Sequence, residues 1–178
     1  MASVFDITKL TANKHGIAES TLLGATMAHM HFYNMVSDVD LDNGSVSVLD
    51  VENYKEDDVF MTAVPAKEDK IVLLLNPVKI YEDTYTEQQN EEYFFNAAGE
   101  LIRAYEIYET DRFSLSVEAF KEDAQVAVGK YVVVDGTGYK LDVVGSKPSG
   151  YGFVGKIIEQ NANGTYQIFV IRNKAVEA

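Results

Sequence analysis

Between Gly129 and Asn173 the sequence twice sets one apolar, β-branched run against another across a short turn: GKYVVV-DGTG-YKLDVV, then YGFVGKIIEQ-NANG-TYQIFVIRN. Val, Ile, Tyr and Phe favour the pleated, half-buried surface of a sheet, and Asp-Gly and Asn-Gly tolerate the backbone of a tight reversal. Each stretch therefore reads as a β-hairpin, with VGSKPSG (144–150) as the loop between them. The same strand-and-turn rhythm runs backwards through the chain. DVFMTAVPA (58–66) is a short strand closed by Pro65, and KIVLLLN (70–76) an apolar strand stopped by Asn76-Pro77. FSLSVEAF sets Phe113, Leu115 and Val117 against Ser114, Ser116 and Glu118. EYFFN-AAGE-LIRAYEIY reads as two strands about a glycine turn; a helix over 97–108 is the competing reading, because Ala, Glu, Leu and Arg favour helix. Strands at this spacing predict an all-β fold, mainly antiparallel, a sandwich or barrel of hairpins.

The division expected is an irregular N-terminal arm over 1–32 and a β-rich domain over 33–178, with a subdivision near 120 left open. Residues 1–26 are small, polar and aperiodic; a short helix around Ile17–Leu23 and an extended arm ordered by a partner are both compatible with them.

SDVDLDNGSVSVLD (37–50) carries the nearest approach to a metal motif. Asp38, Asp40 and Asp42 alternate as the first ligands of a calcium loop do. However, Asn43 stands where that loop needs glycine, and Leu49 where it needs a bidentate glutamate. A hairpin with Asn43-Gly44 in a type I′ turn accounts for more: Val39, Leu41, Val46 and Val48 would share one face, and Asp38, Asp40, Asp42, Ser45 and Ser47 the other. His29 and His31 form an H-x-H pair that a strand would point one way, but no third ligand is identifiable. The only other histidine is His15, and Met27, Met30 and Met35 nearby suggest packing. The glycine-rich 134–140 loop follows a strand as a phosphate loop does, yet YKLDVV after it reads as strand where a helix N-terminus is required. No G-x-S-x-G elbow occurs. The expectation is a protein without catalytic, cofactor-binding or metal-binding residues, and without a cofactor: not an enzyme.

Charge narrows the partners. The chain of 178 residues carries a net charge of −13, which disfavours nucleic acid, and it has no basic stripe to compensate. From Tyr81 to Asp123 there are 12 Asp or Glu against Arg103, Arg112 and Lys121, a local −9. With no cysteine, disulfides and thiol chemistry are excluded. No basic segment followed by an apolar run opens the chain, and IVLLL (71–75) is too short to span a bilayer. The expectation is synthesis in the cytoplasm, with no membrane partner.

Three stretches together resemble structural proteins of tailed-bacteriophage heads, of the decoration or capsid-auxiliary type: NMVSDVDLDNGSVSVLDVENY, LLLNPVKIYED…EYFFNAAGELIRAYEIYETDRFSLSVEAF, and VGKYVVVDGTGYKLDVVGSKPSGYGFVGKIIE. They span roughly residues 33–160. The resemblance implies a β-rich virion protein on the capsid exterior. It would bind the major capsid protein, stabilise the shell, and form a homo-oligomer, a trimer by preference. It transfers no contact residues. The alternative class is a receptor- or glycan-binding module of a phage fibre or tail, with the tyrosines as sugar-stacking candidates.

Overall fold

The computed structural model describes residues 14–24, 32–78 and 91–176. Among them eleven strands form two sheets, and the only helical elements of three or more residues are single 3-10 turns. The first sheet has six strands, in the order β1 (Ala18–Glu19), β7 (Arg112–Leu115), β11 (Tyr166–Asn173), β10 (Phe153–Gln160), β8 (Tyr131–Val133) and β9 (Asp142–Val144). The second has five: β3 (Val46–Ser47), β5 (Val72–Leu74), β6 (Leu101–Glu106), β2 (Phe32–Val36) and β4 (Val59–Met61). Every strand pair is antiparallel except β2 with β4. The all-β, mainly antiparallel architecture expected from the hairpin pattern is the one observed.

Both C-terminal hairpins form where their sequences place them. β8 pairs with β9 through Val132 and Val143, and β10 with β11 from Phe153–Asn173 to Gln160–Tyr166. Two irregularities in the longer hairpin, at Val154/Gly155 and Ile157/Glu159, bend it and re-aim its side chains. The NANG turn closes with Gly164 at φ +87 and its N–H on the Asn161 carbonyl.

The main core lies between the sheets. Phe113, Leu115, Val132, Phe153, Ile157, Ile168 and Val170 meet Val46, Leu73 and Tyr105 from the second sheet. A smaller core of Met35, Leu41, Val72, Leu74, Ile102 and Ala104 fills the opposite face of the second sheet, against Tyr33, Leu49, Phe60 and Tyr139. Asn173 joins the two sheets. Its side chain accepts from the Ile71 N–H (2.9 Å) and donates to the Ile71 and Ile107 carbonyls (2.8 and 2.9 Å).

The 37–50 stretch is not a hairpin. Its two arms do not pair: Leu41 bridges to Asn96, while β3 pairs with β5. The reversal at Asp42–Ser45 is a single turn in which only Gly44 has positive φ, +89, so it is not type I′. Nor do the faces sort as expected. Val39 is half exposed, whereas Ser45 and Ser47 are buried. The reason is competition. A two-stranded ribbon is marginal alone, and each arm here finds a more buried partner. Ser47 tolerates burial because its hydroxyl accepts from the Ala63 N–H and donates to a main-chain carbonyl, Ala63 or Val48.

Three further expectations change. EYFFN is not a strand but a 3-10 turn, Glu91–Tyr93, followed by the isolated Asn96 bridge; its partner segment is β6, which excludes the helix over 97–108. The FSLSVEAF alternation ends at Leu115, where a 3-10 turn at Val117–Ala119 begins. Ser114 and Ser116 are buried, accepting from the Asn161 side chain and the Ile17 N–H. Ile17–Leu23 is neither helix nor free arm: β1 extends the first sheet beside β7, and Leu23 is fully buried.

Candidate functional site

The alternating aspartates take separate partners. Asp38 is exposed, and Asp40 accepts from the Ala98 N–H at 3.0 Å. Asp42 turns inward, one oxygen 2.7 Å from His15 Nδ1 and the other 2.7 Å from Lys140 Nζ. Burial pushes the Asp42 carboxyl up, but the hydrogen bonds and charges of His15 and Lys140 outweigh it and hold the group below the ordinary carboxylate value. His15 packs tilted against Phe95 with ring centroids 5.1 Å apart, and its Nε2 is buried with no hydrogen-bond partner among the described residues. Among the described residues no hydroxyl is placed on that nitrogen. Asp42 instead ties residues 14–17, the 42–45 turn and the start of β9 to one point.

Next to it Asn43, Asn76 and Asn96 form a buried amide ring. Asn43 Oδ1 accepts from the Asn76 N–H and from Asn96 Nδ2, and Asn76 Nδ2 donates to Asn96 Oδ1 at 2.9 Å. Asn76 also reaches the Leu101 carbonyl and the Arg103 N–H, and Asn96 the Leu41 carbonyl. Asn43, expected for its backbone, works through its side chain. Asn76, expected only to stop a strand, links β5 to β6. Sequence offers no period by which such amides announce themselves, since their partners are main-chain groups far away in the chain.

The 134–140 loop is a turn leading into β9. Thr137 N–H and Oγ1 donate to Asp135, which Lys121 also grips. Burial raises the Asp135 pKa, and these donors more than reverse it. His29 and His31, with Met27 and Met30, lie outside the described residues, as does the 81–90 part of the acidic stretch. Within its described part, Glu91, Glu109, Glu122 and Asp123 are exposed; Asp111 is buried, with its oxygens on the Gly24 and Tyr108 N–H groups. Among the described residues no cluster of three or more His, Asp or Glu is arranged to hold a metal, and no helix is long and apolar enough to cross a membrane.

What the fold does present is a surface. Strand alternation puts Phe32, Asn34 and Val36 of β2 on the same face as Tyr105, Arg103 and Leu101 of β6, with Val59 and Met61 of β4 beside them. At the β3–β5 end this face is closed by the first sheet. At the β2–β4 end it is open: Phe32 is 48% and Leu101 55% exposed, and Val36, Val59 and Met61 are half-buried. Arg103 lies over the Phe32 ring at 5.9 Å. Lys55, Glu56 and Asp57 rim the open end, Asp57 in the left-handed region at φ +59. An apolar strip with a charged rim is the make-up of a protein contact surface.

No family model, no curated protein and no solved structure matches the chain.

Proposed function

We propose that this chain is a structural virion protein that decorates and stabilises a phage capsid by binding the major capsid protein on the shell's outer surface. The reading rests on the resemblance of residues 33–160 to head decoration proteins. The observation that carries it is the open β2–β6–β4 face. Burying the exposed half of Phe32 and of Leu101 would contribute roughly 1 kcal/mol each. That is weak for one contact, but repeated across the subunits of an oligomer on a lattice it gains avidity through effective concentration. A protein bound only to the assembled shell raises the shell's stability by mass action. The acid rim and the net charge of −13 would keep unbound copies apart and away from packaged DNA.

The test is to mix the purified protein with heads that lack it, then count bound copies and measure resistance to heat and osmotic shock. Saturable binding at hundreds of copies per particle is expected on lattice symmetry. It should be weakened by Leu101→Glu and Phe32→Glu, whose side chains are too exposed for the change to disturb the core. Absence of saturable binding to heads, with binding to host cells or glycans instead, would overturn the reading in favour of a receptor-binding module.

A further inference from the structure

In so acidic a chain the cations are mostly held internally. Lys14 pairs with Glu92, Lys67 with Glu68, Lys70 with Glu106, Lys121 with Asp135 and Lys140 with Asp42. Lys130 donates to the Gln125 carbonyl, and Lys156 lies over the Tyr131 ring. Lys55, Arg112, Lys147, Arg172 and Lys174 do none of this among the described residues, and the last three come together. All three line one cleft of about 390 Å³, between the 147–151 loop and the end of β11. Lys147 and Lys174 are exposed, and Arg172 stands opposite Val154 across the β10–β11 ladder. Pro148, Val154 and Ile171 contribute apolar wall, Tyr151 an aromatic ring, and Glu109 is the one acid lining it.

Three like charges left together cost free energy in the unbound protein, and a counter-charged ligand removes that cost. We propose that this cleft is a binding site for an acidic polypeptide segment, one with two or more carboxylates flanking an apolar side chain. The Arg172 guanidinium offers a planar fork suited to a carboxylate, and the two lysines offer mobile point charges at the rim. Three cations against one acid favour a carboxylate-bearing peptide over a neutral glycan. A neutral sugar stacked on Tyr151 would leave that excess positive charge uncompensated. The cleft is built by the first sheet, apart from the open β2–β6–β4 face, and its occupant need not be the capsid.

The probe is a fluorescein-labelled peptide, Leu-Glu-Glu-Tyr-Asp-Glu, titrated with the full chain and followed by anisotropy. A peptide with Gln and Asn in place of the acids and a sulfated oligosaccharide serve as parallel probes. Saturable binding of the acidic peptide alone is expected, several-fold weaker when salt is raised through the range where the screening length falls below about 10 Å. The double variant Lys147→Glu/Lys174→Glu, at two exposed positions, should weaken it by about tenfold or more. Lys55→Glu, an exposed position beside the second sheet and outside the cleft lining, should leave it unchanged. No binding, equal loss in Lys55→Glu, equal binding of the neutral peptide, or binding of the oligosaccharide in place of the peptide would each overturn the assignment. None of these results depends on binding to heads, so either proposal can fail while the other stands.

Discussion

Asn173 offers a sharp test of what holds the two sheets together. It is 7% exposed, and its one side chain satisfies three buried main-chain groups: the Ile71 N–H, the Ile71 carbonyl and the Ile107 carbonyl. Asn173→Ala strands all three. Each unsatisfied buried group costs about 1–3 kcal/mol. The three share one side chain, and a water entering the vacated space would recover part, so the costs do not simply add. The expected loss is roughly 3–5 kcal/mol, a large share of a stability of about 5–15 kcal/mol. The assay is urea denaturation followed by fluorescence and circular dichroism. The midpoint should fall with the slope unchanged. Asn173→Asp provides the internal control. A carboxylate still accepts from Ile71 N–H but faces two carbonyl oxygens with no donor, so at neutral pH it should be at least as damaging as alanine. Protonation returns one donor and should recover part of the loss. A cost below about 1 kcal/mol for Asn173→Ala would refute the idea that this amide is a principal link between the sheets.

Two other outcomes follow from the 42–45 turn. Gly44→Val should destabilise strongly: φ is +89, and even a Cβ there would sit 2.6 Å from Leu115 Cδ2, so a thermal melt unchanged from the parent would contradict the geometry. The Asp42 carboxyl has a folded pKa below its ordinary value, so the folded state binds fewer protons there. Its contribution is present above the ordinary carboxylate value and is lost as pH falls through the folded one. Asp42→Asn should therefore be less stable near neutrality and show a shallower loss in acid, measured by denaturation midpoints across that range.

The two C-terminal hairpins could be read from sequence because their information is local. Turn residues and both strands lie within a few tens of positions, and side-chain period alone sets the pairing. The 37–50 stretch carried signals as clear, an Asn-Gly turn between alternating runs, and misled. What decided its fate was β5, a central strand more than twenty residues later, whose Leu73 and Val72 offered Val46 and Ser47 a buried ladder. The amides at 43, 76, 96 and 173 were invisible for a related reason. A polar side chain that satisfies distant main-chain groups leaves no periodic trace, and Asn76 and Asn173 both sit where a strand ends, which is also where loop residues sit. Of the open β2–β6–β4 face, its strands β4 and β6 were legible, but its exposure was not. That depends on where the first sheet stops covering the second. The basic cleft was hidden differently: Lys147 is separated in sequence from Arg172 and Lys174, and only the fold brings the three cations together.

The order in which the chain joins itself sets a kinetic consequence. β1 lies against β7 through Ala18 and Leu115, and Asn173 reaches back across 102 positions to Ile71. None of these links can form until a long loop has been closed, and that entropy is spent before any contact rewards it. The β10–β11 hairpin carries no such delay and is the natural first structure. Folding should then be slow for a chain of this size, with β7 and β5 exposed as unpaired apolar edges until their distant partners arrive. In that interval the chain is prone to associate through those edges with other incomplete copies. Refolding yield should accordingly fall as protein concentration rises, although the finished molecule is acidic and self-repelling.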